Sequence, residues 1–159
     1  MALKKKLAVA GATGFIGRWF IETYKDKYDI IALSRKKVTP SPNSDIEWRM
    51  VDLFSISSSV NALQGVDYAL YLVHSMQPST RLNQSNFEDT DLLLADNFSR
   101  AAESCNLKHI IYVGGILPKD DLNISKHLKS KFEVEKVTDV AGVRGAEAED
   151  EALLHLYYR

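Results

Sequence analysis

Three glycines spaced three residues apart lie near the start of the chain, in the segment Gly11-Ala12-Thr13-Gly14-Phe15-Ile16-Gly17. Such a turn places backbone N–H groups at a helix N-terminus, where the partial positive charge favours a phosphate. Gly11 allows a strained turn, Gly14 leaves room for a pyrophosphate, and Gly17 lets the helix lie close to a strand. We therefore predict a dinucleotide site; the alternative is a turn with a structural role only. The cofactor-binding residues predicted here are Gly11, Thr13, Gly14, Phe15, Ile16 and Gly17.

A second candidate segment, Ser34-Arg35-Lys36-Lys37, follows the second predicted strand. In dinucleotide-binding units an acidic residue at this place accepts hydrogen bonds from the adenosine ribose. No acid is present here, whereas Ser34 and Arg35 can hold a 2′-phosphate and the lysines add positive charge. This favours NADP over NAD, and the alternative is a solvated basic loop.

Hydrophobic periodicity predicts the elements that position these residues. A first strand at Leu7–Ala10 leads into the glycine turn, and a helix from about Gly14 to Tyr24 follows it. The predicted inner face of this helix consists of Phe15, Ile16, Trp19, Phe20 and Thr23. Further strands are predicted at 28–33, 46–51, 66–73 and 109–113, and further helices at 55–63, 85–105 and 125–137.

The alternation of strands and helices predicts an α/β fold with right-handed crossovers. We expect a Rossmann-like, doubly wound parallel sheet in a three-layer α/β/α arrangement, with strand order 3-2-1-4-5 and the glycine turn at the carboxyl edge. The run at 66–73 is almost entirely apolar, which is typical of a central strand buried on both faces. It ends at His74-Ser75, at the edge where ligands bind in such folds.

Composition limits the classes of function. The chain has 159 residues, which fits one domain, and a net charge of -1, which favours neither a nucleic-acid partner nor a membrane surface. One cysteine, Cys105, excludes an internal disulfide and fits a reducing compartment, so we expect a cytoplasmic protein with this thiol buried. We predict no metal ligands, and the apolar run after Lys4–Lys6 is too short for a signal peptide.

The glycine turn resembles that of the short-chain dehydrogenase/reductase superfamily, in the atypical and extended group that includes nucleoside-diphosphate-sugar epimerase-like proteins. The resemblance extends over about residues 3–137 and includes 51–53, 65–67, 71–76 and 111–115. It implies an NAD(P)-binding Rossmann domain at 1–137, with NADP as the cofactor and NAD as the alternative. It also implies that Asp52 bonds the adenine, that the Leu53 backbone supports it, and that His74 and Ser75 line the cofactor.

The catalytic centre departs from the superfamily pattern, which is Tyr-x-x-x-Lys on the helix after strand five and a serine at the end of that strand. Lys131 stands at the lysine position, where the resemblance implies roles in catalysis and in holding the cofactor ribose. His127 replaces the tyrosine, and Gly114 or Gly115 replaces the serine. A histidine can transfer a proton near neutral pH; the alternative is a polar residue on an exposed helix.

The segment 138–159 departs further, because small and acidic residues replace the sixth strand and substrate lobe that the family would have. A truncated or frame-shifted gene would explain this change. Three functions remain open: an NADP-dependent oxidoreductase or epimerase-like enzyme acting on an unknown small molecule, a cofactor-binding sensor, and a protein-interaction module. The resemblance also implies a homodimer through the helices near 88–105 and 125–137, and the alternative is a monomer covered by its own tail.

Overall fold

The computed structural model describes residues 4–40, 44–74 and 84–113, together with Glu133, Val134 and Lys136. The strands are β1 (Lys6–Ala10), β2 (Asp29–Ser34), β3 (Glu47–Met50), β4 (Tyr68–Tyr71) and β5 (His109–Tyr112). The helices are α1 (Phe15–Tyr24), α2 (Ile56–Leu63) and α3 (Gln84–Ser104). All neighbouring strands are parallel, in the order β3-β2-β1-β4-β5. The predicted fold class and strand order are therefore confirmed.

Alternate residues of the central strands enter two separate apolar cores, one on each face of the sheet. Ala8 and Ala10 of β1 pack in the core that α2 and α3 cover, whereas Leu7 and Val9 pack in the core that α1 covers. The same alternation occurs in β4, where Leu70 enters the α1 core. Because both faces are covered, the central strands β1, β2 and β4 carry apolar residues at consecutive positions (7–10, 30–33 and 68–71), which is the pattern of a parallel sheet between two helical layers.

The predicted inner face of α1 is confirmed at Phe20 and wrong at Phe15, Ile16, Trp19 and Thr23, which are exposed. Phe15 is 87% exposed and Trp19 is 52% exposed, and the buried residues of the helix are Gly17, Phe20 and Ile21. The cause is Gly17: a Cβ there would overlap the Gly11 carbonyl oxygen and lie 2.8 Å from Ala12 Cα. Gly17 must therefore face the turn and the sheet, and this contact sets the rotation of the whole helix.

Helix boundaries agree with the sequence at α2 and differ at α3. Ser55 caps α2 by accepting a hydrogen bond from the Ser58 N–H at 3.2 Å, and Gly65 follows the helix at φ +70°. Helix α3 begins at Gln84 and ends at Ser104, so it is displaced by one residue from the predicted range 85–105. Of the helix predicted at 125–137, only residues 133, 134 and 136 are described, and these are helical.

Two charged side chains, Asp67 and Arg49, connect neighbouring elements around the sheet. Asp67 accepts hydrogen bonds from the Lys6 N–H at 3.0 Å and pairs with the Lys108 ammonium at 3.2 Å. Burial raises the pKa of Asp67, but these two donors outweigh it and hold the pKa below its usual value. Arg49 of β3 donates to the carbonyl oxygens of Ala62 and Gln64 at 2.8 Å, and so caps the negative end of α2.

No helix within the described residues is both long and apolar enough to cross a membrane.

Replacing Gly17 by Ala should destabilise the chain, although helix propensity alone favours Ala by about 1 kcal/mol. We expect the free energy of unfolding to fall by about 2–3 kcal/mol, because the added methyl meets backbone atoms that cannot move aside. Gly65→Ala is the control, since its Cβ would have no neighbour within 4 Å among residues 4–40, 44–74 and 84–113, and only the positive φ is strained. Its expected cost is about 1 kcal/mol, as measured by urea unfolding. Equal costs for the two variants would show that the approach of α1 is not constrained at Gly17.

Candidate functional site

The glycine turn presents backbone donors at the carboxyl edge of the sheet. Gly11 has φ +89°, and the Gly14 N–H donates to the Gly11 carbonyl oxygen at 2.9 Å. The first hydrogen bond within α1 runs from the Arg18 N–H to the Gly14 carbonyl oxygen at 3.0 Å. The N–H groups of Phe15, Ile16 and Gly17 therefore have no acceptor within the helix, and no side chain caps them at Gly14.

This arrangement fits a phosphate group. Three backbone donors lie in the first turn of α1, at the positive end of its helix dipole, and many proteins bind phosphate at such a place without a charged side chain. Gly14 is exposed next to them, and within the described part of the chain its added Cβ would meet only the Gly11 carbonyl oxygen, at 3.2 Å. Gly11 has a different role, because its Cβ would come within 3.1 Å of the Leu72 backbone beside β4. One glycine thus serves the fold and another keeps the space in front of the donors open.

The loop after β3 lies two strands away from the turn at the same edge. The Asp52 side chain is exposed, and its Oδ1 accepts a hydrogen bond from the Phe54 N–H at 3.0 Å. The Asp52 N–H in turn donates to the Ser58 Oγ at 3.0 Å. The Leu53 side chain is 6% exposed and packs in the core under α2 and α3, so only its backbone faces the edge. A carboxylate is thus held at the edge by a turn that the core anchors.

Asn97 of α3 is a functional candidate that the sequence analysis missed. Its side chain is 6% exposed, and its Nδ2 donates to the Leu53 carbonyl oxygen at 3.0 Å and to the Phe54 carbonyl oxygen at 3.1 Å. The signal in the sequence is an amide on the apolar stripe of a helix, between Leu94 and Phe98. A buried amide in such a place requires hydrogen-bond partners from another element.

Ser34 ends β2 and Arg35 follows it, between the glycine turn and the Asp52 loop. The Ser34 Oγ accepts a hydrogen bond from the Lys36 N–H at 3.2 Å. Arg35 is exposed, and its guanidinium has no hydrogen-bond or ion-pair partner among the residues that the structure describes. Met50 pairs with Ser34 in the register of β2 and β3 and is 68% exposed. The edge thus offers a polar and cationic surface beside an apolar one.

His74 lies beyond β4, on the other side of the glycine turn from Asp52. Its ring meets the Tyr112 ring edge-on at a centroid distance of 6.5 Å, and Tyr112 also contacts Tyr71 at 6.3 Å. Burial, with smaller contributions from Asp91 and Tyr112, raises the pKa of Tyr71 far above its ordinary value, so this phenol stays neutral. Ser75, His127 and Lys131 lie outside the described residues, so the predicted catalytic pair stays a prediction.

A groove of about 530 Å³ at the opposite edge of the sheet lacks these features. Its walls carry charges of both signs, from Lys4, Lys6 and Lys25 on one hand and Asp29 and Glu47 on the other. No group of three potential metal-ligating side chains occurs within the described part of the chain. The carboxyl edge is therefore the candidate site.

Comparison with known proteins agrees with this geometry. The family model described as "NAD dependent epimerase/dehydratase family" matches residues 7–133. The auxiliary protein GraX from Staphylococcus aureus is 32% identical over 115 residues, which are 71% of this chain and 37% of GraX. The chain thus spans little more than a third of the length of this curated relative.

Solved structures share the fold. UDP-N-acetylglucosamine 4-epimerase from Bacillus cereus is 25% identical with a TM-score of 0.66, over 86% of this chain and 50% of that one. The triphenylmethane reductase of Citrobacter sp., solved with NADP(H), is 22% identical with a TM-score of 0.68, over 92% of this chain and 51% of that one. The second likeness shows the fold alone. The chain spans about half the length of each of these structures.

Gly14→Val should abolish dinucleotide binding and leave the fold intact. The added side chain would occupy the space in front of the donors of α1, whereas its backbone contact at 3.2 Å requires only a small shift. A ligand that binds only the native state raises its stability, so the test is the ligand-induced rise in Tm. We expect the rise to vanish in Gly14→Val and to persist in Gly65→Ala. A folded Gly14→Val variant with undiminished affinity would show that the phosphates bind elsewhere.

Proposed function

Because this chain belongs to the NAD dependent epimerase/dehydratase family, we propose that it binds NADP(H) at the carboxyl edge of its sheet. In this proposal it supplies the cofactor-binding half of an oxidoreductase or epimerase-type enzyme. One observation carries the proposal: the N–H groups of Phe15, Ile16 and Gly17 lack helical acceptors at the N-terminus of α1, next to the exposed Gly14. A nicotinamide dinucleotide, with its pyrophosphate, is the ligand class that fits both the donors and the family.

The order of strands indicates how the ligand would lie. The turn after β1 would bind the pyrophosphate, the end of β2 would face the adenosine ribose, and the loop after β3 would face the base. Adjacent strands are about 4.8 Å apart, so these groups follow one another along the edge at the spacing of a nucleotide's parts. Asp52 accepts hydrogen bonds and would take one from the adenine amino group, while Leu53 contributes its backbone.

Arg35 supports NADP over NAD. Its exposed guanidinium has no described partner and can bind a phosphate through two parallel N–H donors. Ser34, which precedes it at the end of β2, adds a hydroxyl donor. An acidic side chain at this position would instead repel a 2′-phosphate and bind the ribose hydroxyls of NAD.

Catalysis, in this proposal, depends on residues beyond β5. When bound, the nicotinamide ring supplies hydride transfer, and the protein supplies position and electrostatics. Lys131 would hold the nicotinamide ribose. His127 would transfer the proton that a tyrosine transfers in other members of the family. His74 and Ser75 would line the ring side of the cofactor. A sugar nucleotide or another carbonyl compound is the substrate class that the family suggests, and the cytoplasm is the proposed location.

A second function is favoured by one observation. The relative from Staphylococcus aureus is described as an auxiliary protein, which fits a cofactor-binding sensor or an interaction module without turnover. Glycines at 114 and 115 cannot replace the hydroxyl of the family's serine. Oxidation or reduction of NADP(H) with a panel of carbonyl compounds and sugar nucleotides separates the two functions, because a sensor binds the cofactor and turns over none of them.

The wild type should bind NADPH more tightly than NADH. Replacing Arg35 by Ala should weaken NADPH binding by about tenfold or more, the value of a hydrogen bond to a charged group, and should leave NADH binding unchanged. Arg100→Ala is the control, because it removes the same charge from an exposed position on α3. The measurement is the ligand-induced rise in Tm with NADP, NADPH, NAD and NADH, followed by calorimetric titration to obtain the affinities. A wild type that prefers NADH would contradict the assignment of Arg35.

We also expect a homodimer through α3. The family resemblance implies that this helix pairs with its copy across a two-fold axis, and Leu93, which is 48% exposed, marks the face of α3 that the contact would cover. Sedimentation should show a dimer for the full chain, and Leu93→Glu should shift it toward monomer. A chain ending at Val143 tests the tail: a dimer only in the full chain would assign the contact to residues 144–159. A monomer in both chains at high concentration would contradict the dimer.

A further inference from the structure

Asn97 connects α3 to the loop that carries Asp52. Its Nδ2 lies 3.0 Å from the Leu53 carbonyl oxygen and 3.1 Å from the Phe54 carbonyl oxygen, and 44 residues separate it from Leu53. Both contacts use the two N–H bonds of a single amide, and the side chain is almost fully buried. A hydrogen bond in such surroundings is costly to break, because the carbonyl oxygens would be left without a donor.

The carbonyl groups that Asn97 holds belong to the same turn that orients the carboxylate. The Phe54 N–H donates to the Asp52 Oδ1 at 3.0 Å, and the Ser55 N–H donates to the Asp52 carbonyl oxygen at 3.0 Å. Fixing the peptide planes on either side of Phe54 therefore fixes the direction of its N–H. With Oδ1 engaged, Oδ2 has no partner among the residues that the structure describes and remains the acceptor that faces solvent.

We propose that Asn97 is a positioning residue for recognition of the adenine base. It acts through the Leu53–Ser55 backbone to aim the free oxygen of Asp52 at the 6-amino group of the base, which is a hydrogen-bond donor. The inference rests on the proposed function, since it needs a bound dinucleotide. To the proposed function the inference adds a residue of α3 that touches no part of the ligand and still determines which base binds.

The test compares two ligands that differ only at the base. These are NADPH and its hypoxanthine analogue, in which an oxo group replaces the 6-amino group and the donor to Asp52 is lost. The wild type should bind NADPH about tenfold more tightly than the analogue. Asn97→Leu, of similar volume and without a donor, should bring this ratio close to one. Asp52→Ala should do the same, because it removes the acceptor itself.

Ser99→Ala is the matched control. Ser99 lies on α3 two residues from Asn97, is 1% exposed, and its Oγ has no hydrogen-bond partner among the residues that the structure describes. The variant therefore perturbs the same buried helix and should keep the wild-type ratio. If Asn97 had a purely structural role, its substitution would weaken the binding of both ligands equally and leave the ratio of their affinities unchanged. Asn97→Ala provides a second variant if Asn97→Leu does not fold, with folding checked by near-UV circular dichroism.

The outcomes separate the two proposals. A ratio that falls in both Asn97 and Asp52 variants and persists in Ser99→Ala supports the inference. A ratio that persists in the folded Asn97 variant, or a wild type that binds both ligands equally, overturns the inference and leaves the proposed function standing. A wild type that binds no dinucleotide overturns the proposed function and this inference with it.

Discussion

The contact between Gly17 and the Gly11–Ala12 backbone is the constraint on which the site depends. Only a residue without a Cβ allows α1 to lie this close to the turn after β1. The contact sets the rotation of α1, so Phe20 and Ile21 enter the core while Phe15 and Trp19 face solvent. It also sets the direction of the first-turn N–H groups. Packing of the helix and presentation of its donors are thus two results of one missing side chain.

The two halves of the candidate site are built by different means. Around the glycine turn, local backbone conformation is sufficient, since the donors and the open space lie within seven residues of sequence. Around Asp52, three elements hold the loop. Ser58 of α2 accepts a hydrogen bond from the Asp52 N–H, and Asn97 of α3 donates to the carbonyl oxygens of the loop. Arg49 joins β3 to the end of α2. This half requires α2, α3 and β3 to be docked, so a change in the packing of α3 reaches the site through Asn97.

The difference between a turn built by local backbone conformation and a loop held by distant elements explains what the sequence could predict. Apolar runs predicted the strands, and the spacing of Gly11, Gly14 and Gly17 predicted the turn, because both depend on local pattern. The strand order followed from the doubly wound fold that the alternating strands and helices indicate. The inner face of α1 was predicted wrongly because the apolar residues at 15, 16 and 19 have helical periodicity, and only the contact of Gly17 shows that they face outward. Asn97 was missed because its partners lie 43 and 44 residues away, a distance that no local pattern reports. His127 and Lys131 stay predictions.

A ligand site at the carboxyl edge explains why apolar side chains are exposed there. Within the described residues, six large apolar side chains are exposed, and four of them flank the edge: Phe15 and Ile16 after β1, and Met50 and Phe54 around the end of β3. Single exposed apolar residues are ordinary on any surface, whereas a group beside convergent polar donors is typical of a ligand site. A bound dinucleotide would remove part of this surface from water, and each Å² of apolar surface so buried contributes about 25 cal/mol. Cofactor binding and stability of the fold are therefore expected to be coupled through the same residues.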